Sequence, residues 1–308
     1  MAARKPGAKK RRRLASRLLA ALLICAVLAV GGMYLASRVV NVRYAQLFLS
    51  DLSPALDGVT LLFLSDIDAS SAADARAAAG LMRRLQRLEP DILLLGGDYA
   101  CAGLFDSLNG RDGQDPEVAL RMADNRSLFL AALKDFVAPM GKFAVYSAQD
   151  VDLARLAQEM EHSGVRLLDD EVAALERDGE RLFVAGLSPQ GDANRVARQV
   201  SADSCVIAAV HSPDGFAGAL TAEAQGGGAW ADVVLAGGTH GGQILLAGRS
   251  FLPLSEREKA YLRGWRKENG VFLLTSQGVG CESLSLRLGT QAEVHLITLR
   301  RGAAREAE

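Results

Sequence analysis

The stretch Val233-Val234-Leu235-Ala236-Gly237-Gly238-Thr239-His240-Gly241-Gly242-Gln243 constrains the fold of this chain more than any other. An apolar run that ends in glycines and then presents one histidine reads as a buried strand delivering a ligand into a loop. The glycines let the backbone turn tightly there. The same arrangement recurs three times. Val59–Leu64 leads into Ser65-Asp66-Ile67-Asp68, Asp91–Leu95 into Gly96-Gly97-Asp98, and Cys205–Val210 into His211-Ser212-Pro213-Asp214. A single strand ending in Asp or His is ordinarily a turn residue or a cap. Asp66, Asp68, Asp98, His211 and His240 together point instead to ligands gathered in one crevice at the carboxyl ends of strands.

The connections fit such a layout. An alanine-rich, arginine-dotted segment from Ala72 to Leu88 has helical propensity and stops before Pro90. Strand, helix, strand at this spacing implies a parallel pair with a right-handed crossover. Residues 102–124, rich in Asp, Gly and Asn, are expected as a surface loop, and Ser127–Phe136 as a short helix. Lys142–Tyr146 reads as a strand, Val151–His162 as a helix, and Val165–Leu168, Val172–Leu175, Leu182–Ala185, Val271–Thr275 and Val294–Leu299 as further strands.

The N-terminus is a separate matter. Residues 18–36 are uncharged and almost wholly apolar, long enough at helical rise to span a bilayer. The run Lys9-Lys10-Arg11-Arg12-Arg13 before it is expected on the cytoplasmic side, placing all that follows outside. A cleaved signal peptide is the rival reading, but Arg38 follows Ala36-Ser37 at once and no clean cleavage site is present. The formal net charge of -1 hides an asymmetry, because residues 1–40 hold nine basic residues and no acidic ones, leaving 26 basic against 36 acidic. A body that acidic does not bind nucleic acid through bulk electrostatics. Cys101, Cys205 and Cys281 outside the apolar run make no disulfide framework. The expected division is a basic cytoplasmic tail (1–17), an anchor (18–36), a linker (37–56), one domain (57–300) and a tail (301–308).

At these motifs the chain resembles the calcineurin-like metallophosphoesterases, in particular their membrane-anchored bacterial branch. The resemblance covers about Asp57 to Leu299. It rests on the opening at Leu56–Asp68, on Gly96–Asp98, on His211–Asp214, on the Gly237–Gln243 signature, and on Gly278, Gly280, Arg287, Gly289 and Glu293. It implies a four-layer α/β/β/α sandwich with two metals bridged by one aspartate and a hydroxide that attacks phosphorus. The first metal would fall to Asp66, Asp68 in place of a histidine, Asp98 and His240. The second would fall to Asp98, Ala148, His211 and Gly238, so two of its four ligands are replaced. The family's leaving-group acid falls at Gln149, which has no proton to trade near neutral pH, and only Asp150 survives from that motif.

The resemblance therefore implies one firmly held divalent ion, with Mn²⁺, Mg²⁺ or Ca²⁺ favoured by a carboxylate-rich set. His211 and Asp150 are the candidate catalytic residues. Two functions stay open: a slowed or altered phosphoesterase, and a catalytically inactive relative binding a ligand or partner at the cell envelope. A phosphoester, an envelope phospholipid or a cell-wall phosphate is the expected ligand. Cys101 reads as a small buried residue rather than a soft ligand, His162 as a helix end, His295 as packed or exposed in the last strand, and Trp230 and Trp265 as core by default, with lining of the crevice as the alternative.

Overall fold

The computed structural model describes residues 7–303 and 305–307; the start of the basic tail, residues 1–6, lies outside them. Helix α1 (Gly7–Arg38) ends one residue before strand β1 (Val40–Leu49). There follow β2 (Thr60–Leu64), α2 (Ala72–Leu85), β3 (Ile92–Leu95), α3 (Leu104–Leu108), α4 (Pro116–Leu130), β4 (Gly141–Ala144), α5 (Leu153–His162), β5 (Arg166–Leu167), β6 (Glu171–Arg177) and β7 (Glu180–Gly186). The chain continues through α6 (Ala193–Ala197), β8 (Val206–Ala209), α7 (Phe216–Thr221), β9 (Val233–Ala236), β10 (Leu245–Leu246), β11 (Arg249–Ser250) and α8 (Glu256–Ala260). It closes with β12 (Gly264–Glu268), β13 (Val271–Thr275), β14 (Ala292–Arg301) and β15 (Arg305–Ala307).

Two sheets result, ordered β15-β1-β14-β2-β3-β4-β5 and β12-β13-β9-β8-β7-β6. Strands β2 to β5 are parallel to one another, as are β7, β8, β9 and β13. Their continuous apolar sequences follow from burial on both faces. Leu61, Phe63, Ile92 and Leu94 point inward against Ile207, Val233, Leu235 and Leu274 of the other sheet. The alternate residues Leu62, Leu64, Leu93 and Leu95 face outward and meet Ala78, Met82, Phe129 and Leu156 of α2, α4 and α5. On the far side Val206, Ala208 and Val234 pack under Val196 of α6 and Phe216 of α7. The architecture is the expected α/β/β/α sandwich, and all described cysteines are free.

Three expectations are corrected. The stretch 37–56, read as a linker, contains β1, which pairs over ten residues with β14. The signal was present, since Ala45, Leu47 and Leu49 alternate as buried residues along it. Part of the 301–308 tail is β15, paired antiparallel to β1. Much of the region read as a loop, 102–124, is helical in α3 and α4, because Asp115 caps α4 by accepting from Glu117 N and Val118 N, and Pro116 occupies the first turn.

Helix α1 includes a 26-residue segment, Arg13–Arg38, long and apolar enough to cross a membrane, whose most apolar stretch is not buried by the rest of the protein, while Ser37 at its end is.

Candidate metal centre

Every parallel strand of the central region ends at one edge, and the loops there carry the polar residues. Asp66 and Asp68 follow β2, Asp98 follows β3, Ser147 and Asp150 follow β4, His211 follows β8, His240 follows β9, and Gln277 to Gly280 follow β13. The loops lace together through main-chain hydrogen bonds. Asp66 N donates to Gly97 O (3.0 Å), Asp68 N to Asp98 O (3.0 Å), Gly237 N to His211 O (2.8 Å), and Gly280 N to Asp66 O (2.6 Å).

Four of the five ligand candidates sit in left-handed backbone: Asp66 at φ 55°, Asp68 at 46°, Asp98 at 61° and His240 at 51°. Non-glycine residues adopt this region at a cost, and it persists only where the surroundings enforce it. The sharp turns aim these side chains back over the strand ends.

The side chains form two groups that share Asp98: Asp66–Asp98–His211 and Asp68–Asp98–His240, each with donor atoms within 4.8 Å of one another. The expected partition put Asp66 with His240, whereas here the nearest imidazole to Asp66 is His211 and to Asp68 is His240. His211 Nε2 lies 4.0 Å from Asp66 Oδ1 and 3.7 Å from Asp98 Oδ2, while His240 Nε2 lies 3.5 Å from Asp68 Oδ2. Which carboxylate meets which imidazole depends on how the two sheets face each other, and chain order does not contain that.

These residues fit a divalent cation. Both oxygens of Asp68 are buried without any hydrogen-bond partner, a costly state for a carboxylate unless a cation satisfies it. Burial, with Asp98 and Asp66 nearby, pushes the Asp68 carboxyl well above its usual range. Burial likewise raises Asp98 to about 7, against the opposing pull of His211. Burial holds His240 down to about 4, with Arg287 and His211 adding to the effect, so the ring is neutral at pH 7 as a ligand must be. His211 donates from Nδ1 to Gly96 O (2.8 Å), which leaves Nε2 to carry the lone pair facing Asp66 and Asp98.

Asp150 has another role than the expected catalytic one. Its Oδ2 accepts from Asp98 N (3.0 Å) and Ser147 N (2.8 Å), and its Oδ1 from Tyr99 N (3.1 Å). A buried carboxylate accepting from three amides clasps the loops that carry Asp98 and Ser147. Ala148 and Gln149, beside it, are exposed on the cavity wall.

The side chains that position the ligands lie behind them, and of these Ser147 was missed while Arg287 was named without its role. Ser147 Oγ donates to Asp98 Oδ1 (3.2 Å), and nothing in the sequence marks it. Arg287, 1% exposed, donates from its Nη2 to Gln277 O (2.7 Å), Gly278 O (3.2 Å) and Gly280 O (2.6 Å), and from Nη1 to His240 O (3.4 Å). It thereby clamps the turn that walls the site. That turn needs glycine at 280, where a Cβ would press into Ile67 O and stand 2.9 Å from Asp68 Cβ. Gly238 sits at φ +79°, and a Cβ there would lie 3.3 Å from His211 Nε2. A side chain at 238 would stand against His211, at a backbone cost of roughly 1–2 kcal/mol.

Cys101 donates its thiol to Asp68 O (3.4 Å) and is held protonated by burial, in keeping with a small packed residue. Trp230 is buried, with Nε1 donating to Ala219 O, Trp265 packs at the inter-sheet core, His162 ends α5, and His295 is buried beside Glu293.

The site opens into a cavity of about 1070 Å³. Nine carboxylate residues line it, among them Asp112, Asp152, Asp192, Asp214, Glu258 and Glu282, and no lysine or arginine does so among the described residues. The only basic side chains the cavity offers an entering anion, among the described residues, are those of His211 and His240 beside the carboxylates.

No family model matches the chain. It is 24% identical over 260 residues to the phosphodiesterase YaeI of Escherichia coli K12, spanning 78% of this chain and 81% of that one. It is 26% identical over 231 residues to an uncharacterized metallophosphoesterase of Aquifex aeolicus, spanning 71% and 76%. Among solved structures, an archaeal phosphodiesterase matches over 71% of this chain and 84% of its own at 12% identity and a TM-score of 0.35. The phosphopantetheinyl hydrolase of Mycobacterium tuberculosis matches over 73% and 91% at 13% identity and a TM-score of 0.39. Those overlays are loose, and the weight falls on the sequence relatives, the two-sheet fold and the ligand-bearing strand ends. On that footing the chain resembles the calcineurin-like metallophosphoesterases, the family of its curated relatives.

Proposed function

We propose that the chain is a membrane-anchored, divalent-cation-dependent phosphodiesterase whose domain lies outside the cytoplasm. The observation that carries this reading is the unpaired Asp68 carboxylate in a group that shares Asp98 with a second group of three donors. Each group has enough donors for a hard cation such as Mn²⁺ or Mg²⁺ that keeps part of its water, so two ions rather than one fit the geometry. Cations held there would set positive charge against a phosphoryl group and acidify a water for attack.

The chain's own residues supply the rest. Ser147 and the Asp150 clasp fix Asp98 between the two groups, and the bond from His211 to Gly96 O fixes its imidazole. The acidic wall selects by charge. A monoester brings nearly one unit more negative charge than a diester, worth roughly 3 kcal/mol of extra repulsion per carboxylate at about 6 Å and an effective dielectric near 20, before screening. This favours a diester, as does the likeness to the Escherichia coli phosphodiesterase. The apolar α1 supports a single span, with the basic run before it on the cytoplasmic side.

Gln149 stands exposed where the family places its proton donor, and this favours a second reading. In it the domain keeps its cations and binds an envelope phosphodiester without turning it over. Hydrolysis of bis(p-nitrophenyl) phosphate by the detergent-solubilised full chain with Mn²⁺ separates the two. Turnover lost in Asp98→Ala supports the enzyme, and cation binding with no turnover establishes the binding module.

A further inference from the structure

Three parts of the molecule meet on one loop, residues 281–288. The end of α1 is fixed to it, with Arg287 N donating to Met33 O (3.2 Å) and Ser37 Oγ to Ser285 O (3.0 Å). Arg38 adds an ion pair to Asp74 at the start of α2 (2.8 Å). Helix α3 joins the loop through the Ser107 and Ser283 hydroxyls, 3.0 Å apart. The β10–β11 hairpin joins it through Leu245 N donating to Leu288 O (2.8 Å).

The two appendages carry large apolar side chains in the open. Phe105 is 80% exposed and Leu108 72% on α3, while Leu246 is 60% and Phe251 69% exposed on and beside the hairpin; Leu288 of the loop itself is also exposed. Among the described residues nothing covers them. Clustered exposure of this kind marks an interaction surface.

The occupant follows from how α1 is attached. Only Val39 separates α1 from β1, which is paired over ten residues in the central sheet. The domain therefore has no tether with which to rise from the bilayer that holds α1. The apolar run of α1 ends at Ala36, so Met33 and Ser37 lie at the outer boundary of the hydrocarbon, and the loop bonded to them lies at headgroup depth. Phenylalanine and leucine side chains beside such a loop have lipid within reach.

We propose that Phe105, Leu108, Leu246, Phe251 and Leu288 form a rim that seats in the outer leaflet around the end of α1. Helix α3 and the 281–288 loop also wall the metal cavity, which Ser107, Glu282 and Ser283 line. With the rim seated, the cavity opens beside the headgroups, which makes a lipid phosphodiester the substrate within reach. The substrate clause rests on the phosphodiesterase reading, and the rim itself rests only on α1 spanning the bilayer.

The test reconstitutes the full chain into phosphatidylethanolamine–phosphatidylglycerol vesicles with brominated acyl chains and follows tryptophan quenching. Phe105→Trp and Phe251→Trp probe the rim on separate elements. Leu22→Trp probes α1, and Val137→Trp serves as the dry reference, since it precedes β4 at the sheet edge opposite the site. Strong quenching of both rim probes, with none at Val137→Trp, is expected. Rim probes quenched no more than Val137→Trp would overturn the proposal, as would rim emission that is blue-shifted but bromine-insensitive, which would assign the patch to a second copy. An unquenched Leu22→Trp would overturn the anchor and the rim together while leaving turnover in detergent unaffected. For the substrate, wild type should cleave vesicle-borne phospholipid faster than its water-soluble dibutyryl analogue. A preference for the soluble analogue would overturn the lipid clause alone, and quenching without any turnover would sink the phosphodiesterase reading alone.

Discussion

The two ligand groups share Asp98 and differ in what stands behind them. On one side Asp66 accepts from Ser65 Oγ (2.7 Å) and Gly238 N (2.9 Å), and His211 is locked by Gly96 O. On the other side both Asp68 oxygens lack a hydrogen-bond partner, and Asp68 Oδ2 faces only His240 Nε2 at 3.5 Å. The first half is built by the protein, whereas the second is completed only by a cation. Folding and binding thus make opposite demands on Asp68, which destabilises the stripped protein and holds the loaded one together.

The largest expected effect removes what the halves share. Asp98→Ala should abolish cation-dependent turnover, since neither group keeps more than two donors. A variant with measurable Mn²⁺-dependent rate would break the claim that the groups work as a pair.

Next comes the missing proton donor. Aryl diesters, whose leaving groups need no protonation, should be cleaved faster than alkyl diesters by about 10²–10⁴, the usual worth of a general acid. Gln149→His should narrow that gap by raising the alkyl rate alone. Equal rates on both substrates would show that another group donates the proton. Restoring the family residue at 238 is less promising, because its left-handed backbone opposes any side chain.

The wall common to both halves is pH-sensitive. Glu293 accepts from Gln277 N and Nε2 at the base of the glycine turn. Burial alone would raise its carboxyl, but His295 at 3.3 Å, the Gln277 amide and Arg43 outweigh that and hold it down to about 2. A depressed carboxyl contributes stability that is present above its unfolded value near 4.5 and lost as pH falls toward 2. The contribution is about 3 kcal/mol, at 1.36 kcal/mol per pH unit. Glu293→Gln should flatten the stability profile between those limits, measured by urea unfolding. An unchanged slope would remove Glu293 from the account.

The smallest effect separates the halves most sharply. In chelator, Asp68→Asn should raise stability by about 1–3 kcal/mol by removing an unpaired buried carboxylate, while Asp66→Asn should not, because Asp66 already has partners. Thermal unfolding with and without Mn²⁺ reads both. Equal shifts in the two variants would erase the distinction.

Much of the fold was legible in the chain itself. Leu61–Leu64, Ile92–Leu95, Cys205–Val210 and Val233–Ala236 are apolar throughout because helices and the opposing sheet cover both their faces, and that pattern survives in one dimension. The ligands Asp66, Asp68, Asp98, His211 and His240 were legible for the same reason, since strand ends converge at one edge. What was hidden depends on three-dimensional partners. Asp150 looks like a surviving catalytic residue until its three amide donors are seen, and Ser147 is anonymous until it reaches Asp98. Strand β1 was passed over although Ala45, Leu47 and Leu49 alternate, because Arg43, Tyr44 and Gln46 between them give the stretch a polar look.

The central claim is that the groups sharing Asp98 hold cations for phosphodiester hydrolysis. Its most direct test is the Mn²⁺ dependence of bis(p-nitrophenyl) phosphate hydrolysis by the full chain after chelator treatment, with wild type and Asp98→Ala measured side by side. Turnover that returns with Mn²⁺ in wild type and stays absent in Asp98→Ala is the predicted result. Wild-type protein that binds Mn²⁺ and leaves the diester intact would contradict it.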